Sequence, residues 1–395
     1  MFRSYFKIGW RNLFKEKGYS LINIGGLAAG MAVAVLIGLW IYDELSFNKY
    51  HQNYDSIARV MYNVTLNGET GHSDHMPMPL GPELAQSFQN DFEHVVMSTF
   101  IHDHIISNGD LKFTKLGNYM EPDAPEMLTL DMVSGTHNGL REMNSIMLSE
   151  SLAETLFGDE DPMNKVVQID AKVNVKVTGV YKDIPKNSEF YEAAFIAPWD
   201  LYMSSNGWLE RFRDSWASGV IQILVQLKPH ADLDNVSLKI KSTIYDHVAE
   251  GDNVFNHEVF LHPMSKWNLY GEFKNGKNVG GQIRFVWLFG TIGIFVLLLA
   301  CINFMNLSTA RSERRAKEVG VRKAIGSARL QLVSQFFSES LLVVILAFIL
   351  SIGIVWLTLP WFNEIANKQI TMPWTNQLFL DFVYNIRWSY RHHCR

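Results

Sequence analysis

The chain has 395 residues, 48% of them apolar and 19% charged, with a formal net charge of −5. That balance excludes a disordered chain and a basic nucleic-acid binder. Two cysteines, Cys301 and Cys394, cannot build a disulfide framework.

Residues 1–20 open with Phe2, Tyr5, Phe6, Gly9, Trp10 and Leu13 on one helical face and basic residues on the other, which predicts an amphipathic helix lying along the cytoplasmic membrane surface. Leu21–Tyr42 then runs 22 residues without a charge. A bilayer core of ~30 Å needs about 20 apolar helical residues, so 21–42 is predicted to be the first membrane span. A cleaved signal peptide is the rival reading, but its leading region would be unusually long and no small-x-small cleavage site follows. Gly26, Gly30, Ala34 and Gly38 recur at four-residue spacing, a small-residue stripe suited to close packing by another helix.

Residues 43–283 carry 18 basic and 34 acidic side chains and read as a mixed α+β domain inserted between spans. Arg59–Leu66, Asn174–Val180 and Gly219–Leu227 have strand patterning. Leu80–Phe88, Ser149–Phe157 and Asp232–His247 have helical spacing, with Ser149 as an N-cap candidate. Several features here invite a catalytic reading. Gly271–Asn278 has the spacing of a phosphate loop, but Asn278 stands where the magnesium-binding hydroxyl belongs, and a flexible Gly/Asn/Lys loop is the better reading. His102 and His104, with His72 and His75, lack an assigned third ligand for a metal and read as surface histidines. No nucleophile elbow or zinc-hydrolase motif is present, so nothing points to an enzyme, a metal site or a bound cofactor.

Phe285–Ala310 is a second charge-free block of 26 residues, making 284–310 the second span. Residues 311–339 are rich in Arg and Lys. With the basic residues before the first span, they place the N-terminus and this loop in the cytoplasm and the inserted domain outside. Gly320 and Gly326 bracket Val321-Arg322-Lys323-Ala324-Ile325, a pattern that suits a short helix docking into a soluble partner. A second amphipathic helix, with Leu330, Val333, Phe336 and Phe337 on one side, is expected to lead into the third span at 340–362, within a charge-free block of 24 residues, Ser340–Asn363. Residues 363–395 read as an atypical tail: only Leu378–Ile386 is apolar after Trp374, too short to span, and a truncated or frame-shifted product of a longer protein is expected.

Glu318-x-Gly320-x-Arg322-x-x-x-Gly326 resembles the cytoplasmic signature of the FtsX/MacB-like ABC-transporter permeases. Phe2–Gly18 with the following Leu-Ile-Asn-Ile-Gly-Gly-Leu is similar to the family's N-terminal start and Glu44–His51 to the segment just outside its first helix, while Leu148–Ala153, Leu156-Phe157-Gly158 and Val177–Val180 resemble landmarks of its MacB-like periplasmic core domain. The resemblance implies a multi-pass protein of the bacterial inner membrane, and a permease subunit, not an enzyme. ATP would be bound by a separate cytoplasmic ABC ATPase, and a second permease copy or homologue would complete a dimer. By position it implies that Glu318, Gly320, Val321, Arg322, Lys323, Ala324 and Gly326 contact that ATPase. It further implies mechanotransmission or export of peptides, drugs or lipoproteins. A membrane-anchored sensor whose external domain binds a ligand is the alternative from another class.

Overall fold

The computed structural model describes residues 10, 11, 13, 17–66, 69–248, 256–314, 320–321, 324–325 and 329–374. It divides into two units, Met1–Asp43 with Phe285–Arg395, and Glu44–Arg284.

The first unit holds three helices long and apolar enough to cross a membrane: Lys17–Leu45, Ile283–Ala310 and Leu332–Ala366. Each extends beyond its charge-free block, because on a helix already formed every added residue closes one more backbone hydrogen bond. The second helix runs to Arg314 as a single element of 32 residues. The third begins at Arg329 and is continuous for 38 residues, so the expected separate amphipathic helix is its first turns. No glycine or proline interrupts the chain between Leu330 and the third span, which explains the merger. Val333 and Phe337, expected on a packed face, are exposed.

Leu27, Ala28 and Ala347 form one packed cluster with Ala300 and Phe304, joining all three helices. Ala32, Val355 and Leu359 form another with Leu36, Leu39 and Trp40, joining the first and third. Of the amphipathic start, residues 1–9, 12 and 14–16 lie outside the described residues. Leu13 packs with Leu342 and Val343, and Ser20 Oγ donates to its carbonyl at 3.0 Å.

The second unit is a mixed α/β domain. Its strands begin with β1 (Ile57–Leu66), β2 (Glu69–Ser73), β3 (Met76–Pro77), β4 (Phe92–Ser98), β5 (His102–Asn108) and β6 (Leu111–Met120). They continue with β7 (Met132–Gly135), β8 (Ser145–Ser149), β9 (Val166–Ile169), β10 (Val173–Tyr181), β11 (Phe195–Pro198), β12 (Gly219–Leu227) and β13 (Asn256–Pro263). The main path is β11-β8-β10-β9-β5-β6-β4-β12-β1-β13. Helices α1 (Leu80–Ser87), α2 (Glu150–Phe157), α3 (Trp199–Ser205) and α4 (Leu233–Lys239) cover its faces.

Two cores lie under α1 with α4 and under α2, and a third takes the alternate strand positions Ile57, Met147, Ile196 and Leu224, on the opposite face of the sheet. This third core gathers Ile57, Met120, Leu128, Tyr181, Phe190, Met264 and Trp267 from four distant stretches of chain. Ser149 caps α2, its Oγ accepting from Leu152 N at 3.3 Å.

Two local expectations change. Asp232–His247 is not one helix: α4 ends at Lys239 and a separate 3-10 turn covers Tyr245–His247. Thr243 Oγ1 donates to Ile240 O at 2.8 Å, the local side-chain bonding by which Ser and Thr compete with helix continuation. Gly271–Asn278 is neither a phosphate loop nor a flexible one. It is mostly a β-hairpin, β14 (Glu272–Lys274) with β15 (Lys277–Gly280). Asn275 and Gly276 both adopt positive φ, as the two-residue hairpin turn requires.

Candidate functional site

The segment that carries the family signature is partly described. Gly320, Val321 and Ala324 are helical and exposed, and Ile325 N–H donates to Val321 O at 3.1 Å, closing a helical turn. Val321 and Ile325 are 54% and 81% exposed. Glu318, Arg322, Lys323 and Gly326 lie outside the described residues.

The small-residue stripe divides along its length. A Cβ on Gly30 would sit 2.4 Å from Ala300 Cβ, and one on Gly26 would sit 3.4 Å from Asn303 Nδ2, so these two glycines admit the second helix closely. Ala34 is half-buried, and Gly38 has open space around it. Along the half that carries Ala34 and Gly38 the small residues come from the second helix instead, where a Cβ on Gly293 would sit 3.3 Å from Ile37 Cγ2 and one on Gly290 3.5 Å from Ile41 Cδ1.

The chain is held by buried hydrogen bonds where it enters and leaves the inserted domain. After Leu45 the helix gives way to consecutive turns through residue 56. Asn48 sits at φ +64 and is fully buried. Its N–H donates to Asn187 O at 2.7 Å, its Oδ1 accepts from Glu189 N at 2.8 Å, and its Nδ2 donates to Met264 O at 3.4 Å. One side chain thus ties the incoming strand of chain to two segments 141 and 216 residues away. Glu44 Oε2 accepts from Asn268 Nδ2 at 2.7 Å, a second tie between the incoming and outgoing segments. Leu269 O then accepts from Ile283 N at 3.1 Å, fixing the start of the second membrane helix.

Beneath these ties lies His51. Its Nδ1 is 2.6 Å from Leu128 O, which can only accept, so Nδ1 carries the proton and Nε2 accepts from Ser188 Oγ at 3.0 Å. Burial pushes His51 below the usual imidazole range and keeps it neutral, which suits that arrangement. A serine hydroxyl on a histidine has the outline of a nucleophile with its base. Here both side chains are shut off from solvent, 1% and 0% exposed, so no substrate reaches the pair and it acts as a structural tie.

Arg59 completes the junction. Its Nη2 donates to Glu189 Oε1 at 2.7 Å, and its guanidinium lies 4.5 Å over the Trp267 ring. Trp267 Nε1 in turn donates to His262 O at 2.8 Å.

Among the described residues no group of three or more His, Cys, Asp or Glu is placed to hold a metal. His104 Nδ1 meets Asp170 Oδ2 at 2.7 Å, His75 stacks near Phe100 and His72 near Phe273, so the histidines are dispersed over separate neighbours.

Sequence reasoning singled out Glu44–His51 only for its resemblance and missed Arg59, Asn187, Ser188 and Asn268. Arg59 is marked only as a charge inside an otherwise apolar strand, Asn187 and Ser188 lie in the polar stretch 182–189 with nothing to set them apart, and the backbone carbonyls have no signal at all.

The model of the MacB-like periplasmic core domain matches residues 20–243, and that of the FtsX-like permease C-terminal matches residues 290–387. The ABC transporter permease YvrN of Bacillus subtilis is 20% identical over 370 residues, covering 88% of this chain and 85% of that relative. The ABC transporter permease YknZ of the same organism is 23% identical over 226 residues, 57% of this chain and 49% of the relative. The macrolide export ATP-binding/permease protein MacB of Bdellovibrio bacteriovorus is 23% identical over 216 residues, 53% of this chain and 30% of the relative. The match thus spans half or less of the length of YknZ and MacB.

Two predictions follow from the site's physics. Asn48→Ala forces a Cβ-bearing residue without local hydrogen bonding into the left-handed region and leaves Glu189 N–H unpaired, so it should cost about 2–4 kcal/mol. Asn48→Gly loses the same bonds but not the backbone conformation and should cost roughly 1 kcal/mol less. Denaturant unfolding followed by tryptophan fluorescence checks the order, and Ala as mild as Gly would contradict it.

Glu121 supplies the second. Burial, with Asp123 and Asp200 adding and the Met97 N–H at 2.8 Å opposing, pushes its carboxyl up to about 7. Its folded-state pKa is raised, so its favourable contribution is complete below about pH 4.5 and is lost as pH rises through about 7. Glu121→Gln keeps the acceptor without the charge. Its advantage over the parent in thermal unfolding should be largest at pH 8, at most about 3 kcal/mol, and vanish near pH 4.5. An equal effect at both pH values would contradict the assignment.

Proposed function

Because the chain belongs to the ABC-transporter permeases with a MacB-like periplasmic core domain and an FtsX-like C-terminal region, we propose that it is the membrane subunit through which a separate cytoplasmic ABC ATPase moves the inserted domain. The single observation that carries this reading is the junction at Glu44, Asn48 and Asn268. Within the inserted domain, the segment that enters from the first membrane helix is hydrogen-bonded to the segment that leads out to the second. A force arriving at either end of the domain then meets one packed body instead of two independent strands.

The charge distribution supports the sidedness that this needs. Residues 43–283 carry 34 acidic against 18 basic side chains, while the segments before the first span and between the second and third are rich in Arg and Lys. The inserted domain faces the periplasm of a bacterial inner membrane, and the N-terminus and residues 311–339 face the cytoplasm. Overlap with 85% of YvrN, whose name is that of a permease alone, supports an ATPase on a separate chain. ATP is bound by that partner, and a second permease copy or a homologue completes the pair on which two ATPase subunits act.

Glu318, Gly320, Val321, Arg322, Lys323, Ala324 and Gly326 dock the ATPase. The exposed Val321 and Ile325 suit insertion into an apolar groove, with Arg322 and Lys323 beside them for an acidic rim. Energy passes outward as movement, and the molecule handled is worked on outside the membrane helices.

Arg322→Glu reverses a docking charge, and Gly326→Pro removes the donor and the freedom of the turn. Each should lower co-purification with the ABC ATPase by about tenfold or more while membrane insertion persists, the loss expected for a residue carrying over ~1.4 kcal/mol of binding. Co-purification at the parental level with both variants would contradict the docking role.

A further inference from the structure

The third membrane helix ends in a turn that sends the chain back along the bundle. Asn367 adopts φ +50, Lys368 N–H donates to Asn363 O at 2.9 Å, and Asn367 N–H reaches Glu364 O at 3.4 Å. This 6→1 and 5→2 pair is the Schellman arrangement that satisfies carbonyls left open at a helix end. Asn363 then does more than end the helix. Its Nδ2 donates to Ile370 O at 2.8 Å and its Oδ1 accepts from Ile370 N at 3.0 Å, so its side-chain amide pairs with a backbone residue as a neighbouring strand would. Ile370 and Met372 are buried in the same cluster as Ala32, Val355 and Leu359, with Leu36, Leu39 and Trp40 around them.

That reversal delivers one charged side chain to a definite place. Lys368 Nζ lies 2.9 Å from Asp43 Oδ2. The two side chains are only 16% and 14% exposed, unlike most ion pairs among the described residues, which have at least one side chain over a third exposed. A pair so sheltered keeps most of its Coulomb attraction, and taking away either partner removes that attraction from a poorly solvated place.

We infer that Asp43 and Lys368, with the strap Asn367–Met372 held by Asn363, form a latch that makes the neighbouring ends of the first and third membrane helices one mechanical body. Asp43 is the last residue of the membrane unit, and Glu44, the next residue, is bonded to Asn268. The latch therefore brings any displacement of the third helix, the one that follows the docking segment, to the residue beside the domain's own tie. Its part in transmission rests on the proposed coupling, whereas its existence does not.

The test reads the latch alone, on the full chain in lipid nanodiscs without an ATPase, by hydrogen exchange of the backbone amides of residues 368–372. Asp43→Asn and Lys368→Met should each speed that exchange by about tenfold or more, and the double reversal Asp43→Lys with Lys368→Asp should restore protection. Lys368→Arg, which keeps the charge, should stay within about twofold of the parent and separates loss of the pair from general misfolding. Exchange unchanged in both single variants overturns the inference, since Asn363 and the buried Ile370 would then hold the strap alone. A double reversal as fast as the single variants overturns it as well. Failure of the ATPase to bind Arg322→Glu, or its success, leaves every one of these readings intact.

Discussion

Glu44–Arg284 is joined to the membrane helices by the chain at Asp43–Glu44 and at Arg284–Phe285. Two independent strands would leave its entering and leaving segments free of one another. The chain instead ties these two segments together, through Glu44 with Asn268 and Asn48 with Met264, and seats them on the core of Met264, Trp267, Phe190 and Leu128. The other features of the domain become intelligible from that constraint. The turns after Leu45 and the positive φ of Asn48 are the geometry needed to fold the incoming segment onto the outgoing one within a few residues.

The junction is polar because it has to be specific. Apolar side chains would bury as much surface but tolerate sliding by a rotamer, whereas Asn48, His51 and Ser188 each have directional partners within one network. The cost of such a network is that a half-satisfied member is worse than an apolar one. The asymmetry is useful in a transmission device. Within Glu44–Arg284, the entering and leaving segments cannot part without breaking several hydrogen bonds at once. Arg59, stacked over Trp267 and bonded to Glu189, extends the same joint into β1 and so into the sheet.

Much of the architecture was legible in the chain. Three blocks free of charge identified the three membrane helices, because a bilayer core imposes a length and a composition that few other environments do. Ser149 and the β-branched runs of β1, β10 and β12 announced their elements for equally local reasons. Local signals failed where a competing local bond or a distant partner decided. Thr243 broke the helix expected through His247, and Asn275-Gly276 turned an apparent phosphate loop into a hairpin. The junction was illegible: His51 meets a carbonyl 77 residues away and Asn48 one 216 residues away, and a carbonyl carries no residue identity. The segment proposed to dock the ATPase is the reverse case: its Glu318-x-Gly320-x-Arg322 pattern stands out in the sequence, with only Gly320, Val321 and Ala324 of the named residues described in the structure.

The central claim is that motion of the membrane helices is delivered to the domain through this joint. Spin labels on Asp110, an exposed tip beyond β5, and on Ile349, an exposed position of the third helix, report the distance between domain and membrane in the reconstituted complex with its ATPase. The account predicts that the distance distribution shifts between the nucleotide-free and ATP-trapped states, and that Asn48→Ala with Asn268→Ala removes the shift while ATP hydrolysis continues. A shift that survives the loss of both asparagines, or none at all in an actively hydrolysing complex, would contradict it.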